Sequence, residues 1–159
     1  MEIINFLELY SGQWFSQRTH YNMAGSEVEN AKADLTIELL LPENPLIAEI
    51  CQDSLLGVKT SWDTSVDWAV SKQIGSSLLV FAKDGHLFAQ TQKSSFLEGS
   101  YRLEDQETLI LSVKNDNQEI EERIWFPNSN FRLRTSVVKQ GLPQSSFYSE
   151  IRKLPPKQG

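Results

Sequence analysis

From Asn30 onward the chain is a succession of short runs rich in β-branched and aromatic residues, each stopped by turn chemistry before a long helix could form. Ala31 to Leu41 ends at Pro42-Glu-Asn-Pro45, and Ser77 to Lys83 meets the run around Phe88 across Asp84-Gly85, a hairpin signal because both residues accept positive φ. The runs Leu97 to Leu103, Thr108 to Lys114, Ile120 to Phe126, Asn130 to Lys139 and Ser145 to Lys153 continue the series. With a strand around Arg18, the long run Gly57 to Val70 and a short run Ile47 to Gln52, about ten strands are expected. Evenly spaced short strands with brief turns point to an all-β sandwich or a closed antiparallel barrel. Ahead of them, Ile3, Phe6, Leu7 and Tyr10 recur at three- and four-residue spacing, the apolar stripe of a short N-terminal helix ended at Ser11-Gly12. At 159 residues the chain is expected to be one domain, with Leu154 to Gly159 a frayed tail.

Charge removes several function classes. A net charge of −6 argues against nucleic acid, whose phosphates call for clustered Lys and Arg over a whole face. No apolar run reaches the roughly 20 residues of a membrane helix. The start Met1-Glu-Ile-Ile-Asn-Phe6 lacks the basic opening of a secretory signal, so residence inside the cell is expected. A lone cysteine, Cys51, rules out an internal disulfide, and its apolar setting Ile47-Ala-Glu-Ile-Cys51 predicts a buried structural thiol. His20 and His86 have no ligand partner at useful spacing, so no metal site is expected.

Chemistry concentrates in one hairpin, Glu122 to Ser136, whose strands flank Pro127-Asn-Ser-Asn130. Strand alternation sends Arg132, Arg134 and Ser136 to one face and Phe131, Leu133, Thr135 and Val137 to the other. The arginines either form surface ion pairs with the acidic neighbours Glu119, Glu121 and Glu122, or face a lumen and hold an anion. A guanidinium matches a carboxylate in two hydrogen bonds, so two of them two residues apart suit a ligand with two carboxylates. Glu122 would then meet a ligand N–H or donate a proton. On the run Ser61 to Ala69, Trp62, Thr64, Val66 and Trp68 share one face, and the two tryptophans are either core or the walls of a cavity for a flat conjugated ligand.

Gly12-Gln-Trp14 before the first strand resembles the mark of lipocalin-like barrels, in which the Trp plugs the base and stacks on an arginine from the end of the chain, here Arg152. Together with Trp14-Phe-Ser-Gln-Arg18-Thr, Ser61-Trp-Asp-Thr-Ser-Val-Asp-Trp68, Glu122-Arg-Ile-Trp-Phe126, Arg132-Leu-Arg-Thr-Ser136 and Phe147-Tyr-Ser-Glu-Ile-Arg152, the order and spacing resemble the S-type phycobiliprotein lyases, the CpcS/CpeS family. The resemblance implies a lipocalin-like antiparallel barrel of ten strands with an N-terminal helix. It implies that a phycobilin, phycoerythrobilin or phycocyanobilin, is held without a covalent bond and delivered to a cysteine of an apo-phycobiliprotein subunit of phycoerythrin or phycocyanin type. Arg18, Trp62, Trp68, Arg132, Arg134 and Ser136 would line the bilin site, with Glu122 as the catalytic carboxylate. Such a protein would form a homodimer and work in the cytoplasm, or in the plastid stroma of an alga. A lipocalin-type carrier that holds a bilin without attaching it is the alternative.

Overall fold

The computed structural model describes residues 2–22, 27–64, 74–91, 95–115, 118–139 and 144–154. Ten antiparallel strands close on themselves: β1 (Gly12–Asn22), β2 (Glu27–Leu40), β3 (Ser54–Asp63), β4 (Ile74–Ala82), β5 (His86–Thr91), β6 (Leu97–Glu104), β7 (Thr108–Asn115), β8 (Gln118–Asn128), β9 (Phe131–Val138) and β10 (Gln144–Arg152). Each strand pairs with its neighbours in sequence, and β1 closes the barrel by pairing with β10, Trp14 opposite Arg152 and Arg18 opposite Tyr148. Closure leaves no free sheet edge. It also turns the alternation of every strand into an inside and an outside.

One end of the lumen is plugged. Helix α1 (Ile3–Glu8) buries Phe6 and Leu7, and Tyr10 follows them inward. Phe126 of β8 stands edge-on to Phe6 at 5.3 Å and meets Tyr10 and Trp14 at 5.7 and 6.1 Å. Burying each of these aromatic side chains contributes on the order of 2–3 kcal/mol. The Trp14 indole N–H donates to the carbonyl of Tyr10 at 2.9 Å, so no polar atom of the indole is lost. Above it lies the Arg152 guanidinium, 4.2 Å from the ring, which also donates to the carbonyls of Leu9, Ser11 and Ser129. This arrangement explains the glycine of the Gly-Gln-Trp motif. Gly12 has φ +130°, and a Cβ there would sit 2.7 Å from Arg152 Nη1.

Two expectations change. The run Ile47 to Gln52 is not a strand but is mostly helix α2 (Pro45–Ile50). Pro45 opens its first turn, and the Asn44 side chain caps it by accepting from Leu46 N–H at 3.0 Å. A six-residue, mostly apolar segment carries no decisive period, so the cap settles the matter. Cys51, which ends that helix, is half-buried rather than sealed in the core. The long run expected from Gly57 to Val70 begins earlier, at Ser54, and is a strand to Asp63; residues 65–73, with Val66 and Trp68, lie outside the described residues.

Candidate functional site

Across β1, β10, β9 and β8 the inward residues form ladders. Ser16, Glu150 and Arg132 stand in one row nearest the plug; Arg18, Tyr148, Arg134 and Ile124 in the next; His20, Ser146, Ser136 and Glu122 in the row above. The hairpin arginines share a face, as strand alternation requires, and barrel closure makes that face the lumen. Phe147, Val137 and Ile151 stand on the outside and are exposed.

The arginines are not free. Glu150, fully buried, accepts at 2.7 Å from the Nε of both Arg132 and Arg134. Arg134 reaches the second oxygen of Glu150 through Nη2 at 3.1 Å and donates through Nη1 to Glu122 at 2.9 Å. Its guanidinium also lies 4.0 Å from the centre of the Tyr148 ring. Two cations and two carboxylates thus cancel, with Arg132 and Glu150 buried where either charge alone would be costly and Arg134 and Glu122 partly exposed to the cavity. Burial by itself would raise the Glu150 carboxyl; the Arg134 and Arg132 guanidiniums outweigh it and hold it at about 2. Arg134 is pushed upward in turn, Glu150 and then Glu122 overcoming the effect of burial. Of the two alternatives open for the hairpin, pairing with Glu122 is correct for Arg134, but the pair lies inside the barrel rather than on its surface.

A cavity of about 590 Å³ opens above this network, within the size range of small-molecule sites. Leu35, Val58, Leu79 and Leu111 supply an apolar wall, and Arg18, Glu122, Arg132, Arg134 and Tyr148 a charged and polar one. Trp62 lines it too, its indole laid across Gly75 so closely that a Cβ there would lie 2.4 Å from the ring. Arg18 differs from the hairpin arginines. Its buried Nε has no hydrogen-bond partner, and among the described residues no carboxylate pairs with it. Ser136 stands on the lumen side opposite both Glu122 and Ser146, but the described lining of the cavity does not include it.

The fold thus brings Arg18, Trp62, Glu122, Arg132 and Arg134 to one cavity and leaves Ser136, level with Glu122, outside its described lining. Residues that the sequence reading passed over are Glu150, Tyr148, His20 and Tyr10. The first three share the inward parity of Arg152 or Arg18, a usable signal. His20 Nδ1 lies 2.7 Å from the Ser146 hydroxyl.

A closed ten-stranded barrel with one plugged end, a Trp–Arg stack at the plug and a polar-floored cavity defines a lipocalin-like binding protein. Residues 2–153 match the family model described as CpeS-like protein, and the chain belongs to that family. It is 36% identical over 173 residues to a Synechocystis protein named chromophore lyase CpcS/CpeS 1, covering 98% of this chain and 93% of that one. A Trichodesmium erythraeum protein of the same name is 33% identical, with 97% and 99% covered. A Picosynechococcus protein named phycocyanobilin lyase subunit CpcS is 29% identical, with 92% and 84% covered. The fold matches the solved S-type phycobiliprotein lyase CPES of Guillardia theta with a TM-score of 0.80 at 24% identity, covering 98% of this chain and 95% of that chain.

Proposed function

We propose that this protein is a phycobilin lyase: it binds a bilin in the barrel without a covalent bond and passes it to a cysteine of a phycobiliprotein subunit. The observation that carries this reading is the cavity itself, where an unpaired arginine, a carboxylate and an aromatic wall meet a ligand with two propionates, four nitrogens and a flat apolar body. Full-length relatives named as chromophore lyases support it. Phycoerythrobilin and phycocyanobilin are the ligands to try first, with phycoerythrin- and phycocyanin-type subunits as acceptors, in the cytoplasm or a plastid stroma.

The acceptor brings the thiol, so Cys51 is not required. Its sulfur forms a bond to the exocyclic carbon of the ring-A ethylidene, the carbon–carbon π bond breaks, and the thiol's proton is made good on the adjacent ring carbon. The barrel contributes by holding the bilin in one pose and excluding competing nucleophiles. Arg18 takes a propionate, with Arg134 beside it. Glu122, fixed by Arg134 at 2.9 Å, meets the pyrrole N–H groups or relays the proton. Ser136 adds a hydroxyl above them.

Incubation with either bilin and an acceptor subunit, followed by denaturation, should leave zinc-enhanced fluorescence on the acceptor. Bilin binding with no adduct in any combination would make the protein a carrier. Glu122→Gln should keep bilin affinity within about threefold while slowing transfer by roughly 10²-fold or more; transfer at the parent rate would remove Glu122 from the chemistry.

The protein also works as a homodimer in this reading. On the outer face Val28 stands opposite Tyr21, and Phe147, Val137 and Ile151 extend an exposed apolar surface over the neighbouring strands. Sedimentation should give twice the chain mass, and Phe147→Glu should halve it; a monomeric parent would discard this assignment.

A further inference from the structure

Tyr10 is fixed on every side except at its hydroxyl. Its N–H bonds to the Leu7 carbonyl at 3.0 Å, its carbonyl accepts the Trp14 indole N–H at 2.9 Å, and its ring packs on Phe6 and Phe126. The Arg132 guanidinium lies 4.7 Å from the ring centre. The side chain is 4% exposed and forms part of the cavity floor, yet the hydroxyl has no hydrogen-bond partner. A buried hydroxyl left unpaired costs free energy, and phenylalanine would pack as well there without that cost. The oxygen is therefore available to a hydrogen-bond acceptor on a molecule that enters the cavity.

The floor is suited to a neutral acceptor rather than an anion. Arg132 and Arg134 are balanced by Glu150 and Glu122, so no net positive charge faces the phenol. Burial pushes the phenol upward, which keeps it protonated and a donor. Arg18, which among the described residues has no carboxylate partner, lies farther from the plug, roughly 13 Å along β1 from Trp14. A linear tetrapyrrole presents the matching pattern: propionates on its two middle rings and a neutral lactam carbonyl on each terminal ring. The plug of Phe6, Tyr10 and Trp14 closes this end, so an acceptor's cysteine reaches the bilin from the other.

Resting on the bilin reading above, we propose that the Tyr10 hydroxyl donates a hydrogen bond to the lactam oxygen of the terminal ring opposite the one attacked, and so decides which end of the bilin enters first. Tyr10 is thus a ligand-contacting residue of the site.

Tyr10→Phe tests this, with phycocyanobilin and phycoerythrobilin titrated against parent and variant by visible absorption, and the melting temperature of each taken without bilin. The expected result is a three- to tenfold weaker affinity for the variant and a shifted visible band. Its ligand-free melting temperature should be unchanged or higher, because an unpaired hydroxyl has been removed. Parental affinity and spectrum in the variant, or a lower ligand-free melting temperature, would overturn the proposal. A parent that gives no spectral change with either bilin would instead overturn the bilin reading, and this proposal with it.

Discussion

Glu150→Ala should lower the stability of the ligand-free protein by about 3–5 kcal/mol, because it leaves the buried Arg132 guanidinium without its carboxylate and takes from Arg134 one of the two that it holds. For a domain of this size that is a fall of roughly 10 °C in melting temperature. The size of the effect follows from position rather than from pairing as such. A surface ion pair such as Lys153–Asp34 is solvated and adds little when intact, so losing it changes little. Glu150 is fully buried, and water cannot replace it. A melting temperature within about 2 °C of the parent would mean that Arg132 and Arg134 are already solvated through the cavity. The same group sets a pH signature. Its carboxyl is held at about 2, below the ordinary 4.5, so its contribution is complete above pH 4.5 and is lost as the pH falls towards 2. Glu121, lowered chiefly by its hydrogen bond with Lys139, acts in the same direction. Subtracting the acid-unfolding profile of Glu150→Gln from that of the parent isolates the Glu150 share; no difference between pH 4.5 and 2 would contradict the assignment.

Arg18→Met should weaken bilin binding about 10- to 100-fold while leaving the ligand-free melting temperature unchanged or slightly higher. A charge-assisted hydrogen bond to a propionate contributes roughly 1.5–3 kcal/mol, which converts to that range. The stability half of the prediction rests on Arg18 having a buried Nε with no hydrogen-bond partner in the protein. Arg134→Met is the contrasting case. It leaves Glu122 without its partner and Glu150 with Arg132 alone, so affinity and melting temperature should fall in parallel. Visible-absorption titrations with unchanged affinity for Arg18→Met would take Arg18 out of the ligand site. Equal loss of stability in both variants would show that Arg18 has an internal partner after all.

Much of this site is visible before folding, for a local reason. Alternation along β9 is a property of the backbone, so Arg132, Arg134 and Ser136 share a face wherever the strand lies, and Trp14 and Arg18 share one on β1. The Gly12–Trp14 pair with a distant Arg152 was legible through family resemblance, and its physical basis is the close approach of Arg152 to Gly12. Alternation could not tell that the arginines are already neutralised. Glu150 lies 18 residues from Arg132 along the chain and meets it only because β10 pairs with β9 in that register. The helix at Pro45–Ile50 was missed for the converse reason: a single side-chain cap outweighed a short apolar pattern that suits either structure. Tyr10 looked like one more residue of a helical stripe, because an unpaired hydroxyl has no signature in sequence.

By itself, then, the sequence determined which residues share a face, where turns fall and that a closed or two-layered β structure must result, since these depend on neighbours a few residues apart. Only the tertiary structure decided which face is the lumen, that among the described residues Arg18 lines it without a carboxylate, and that the Tyr10 hydroxyl is left without a partner. Those outcomes depend on the register of β8, β9 and β10, and on the closure of β1 against β10 through residues more than a hundred positions apart, pairings that no local pattern encodes.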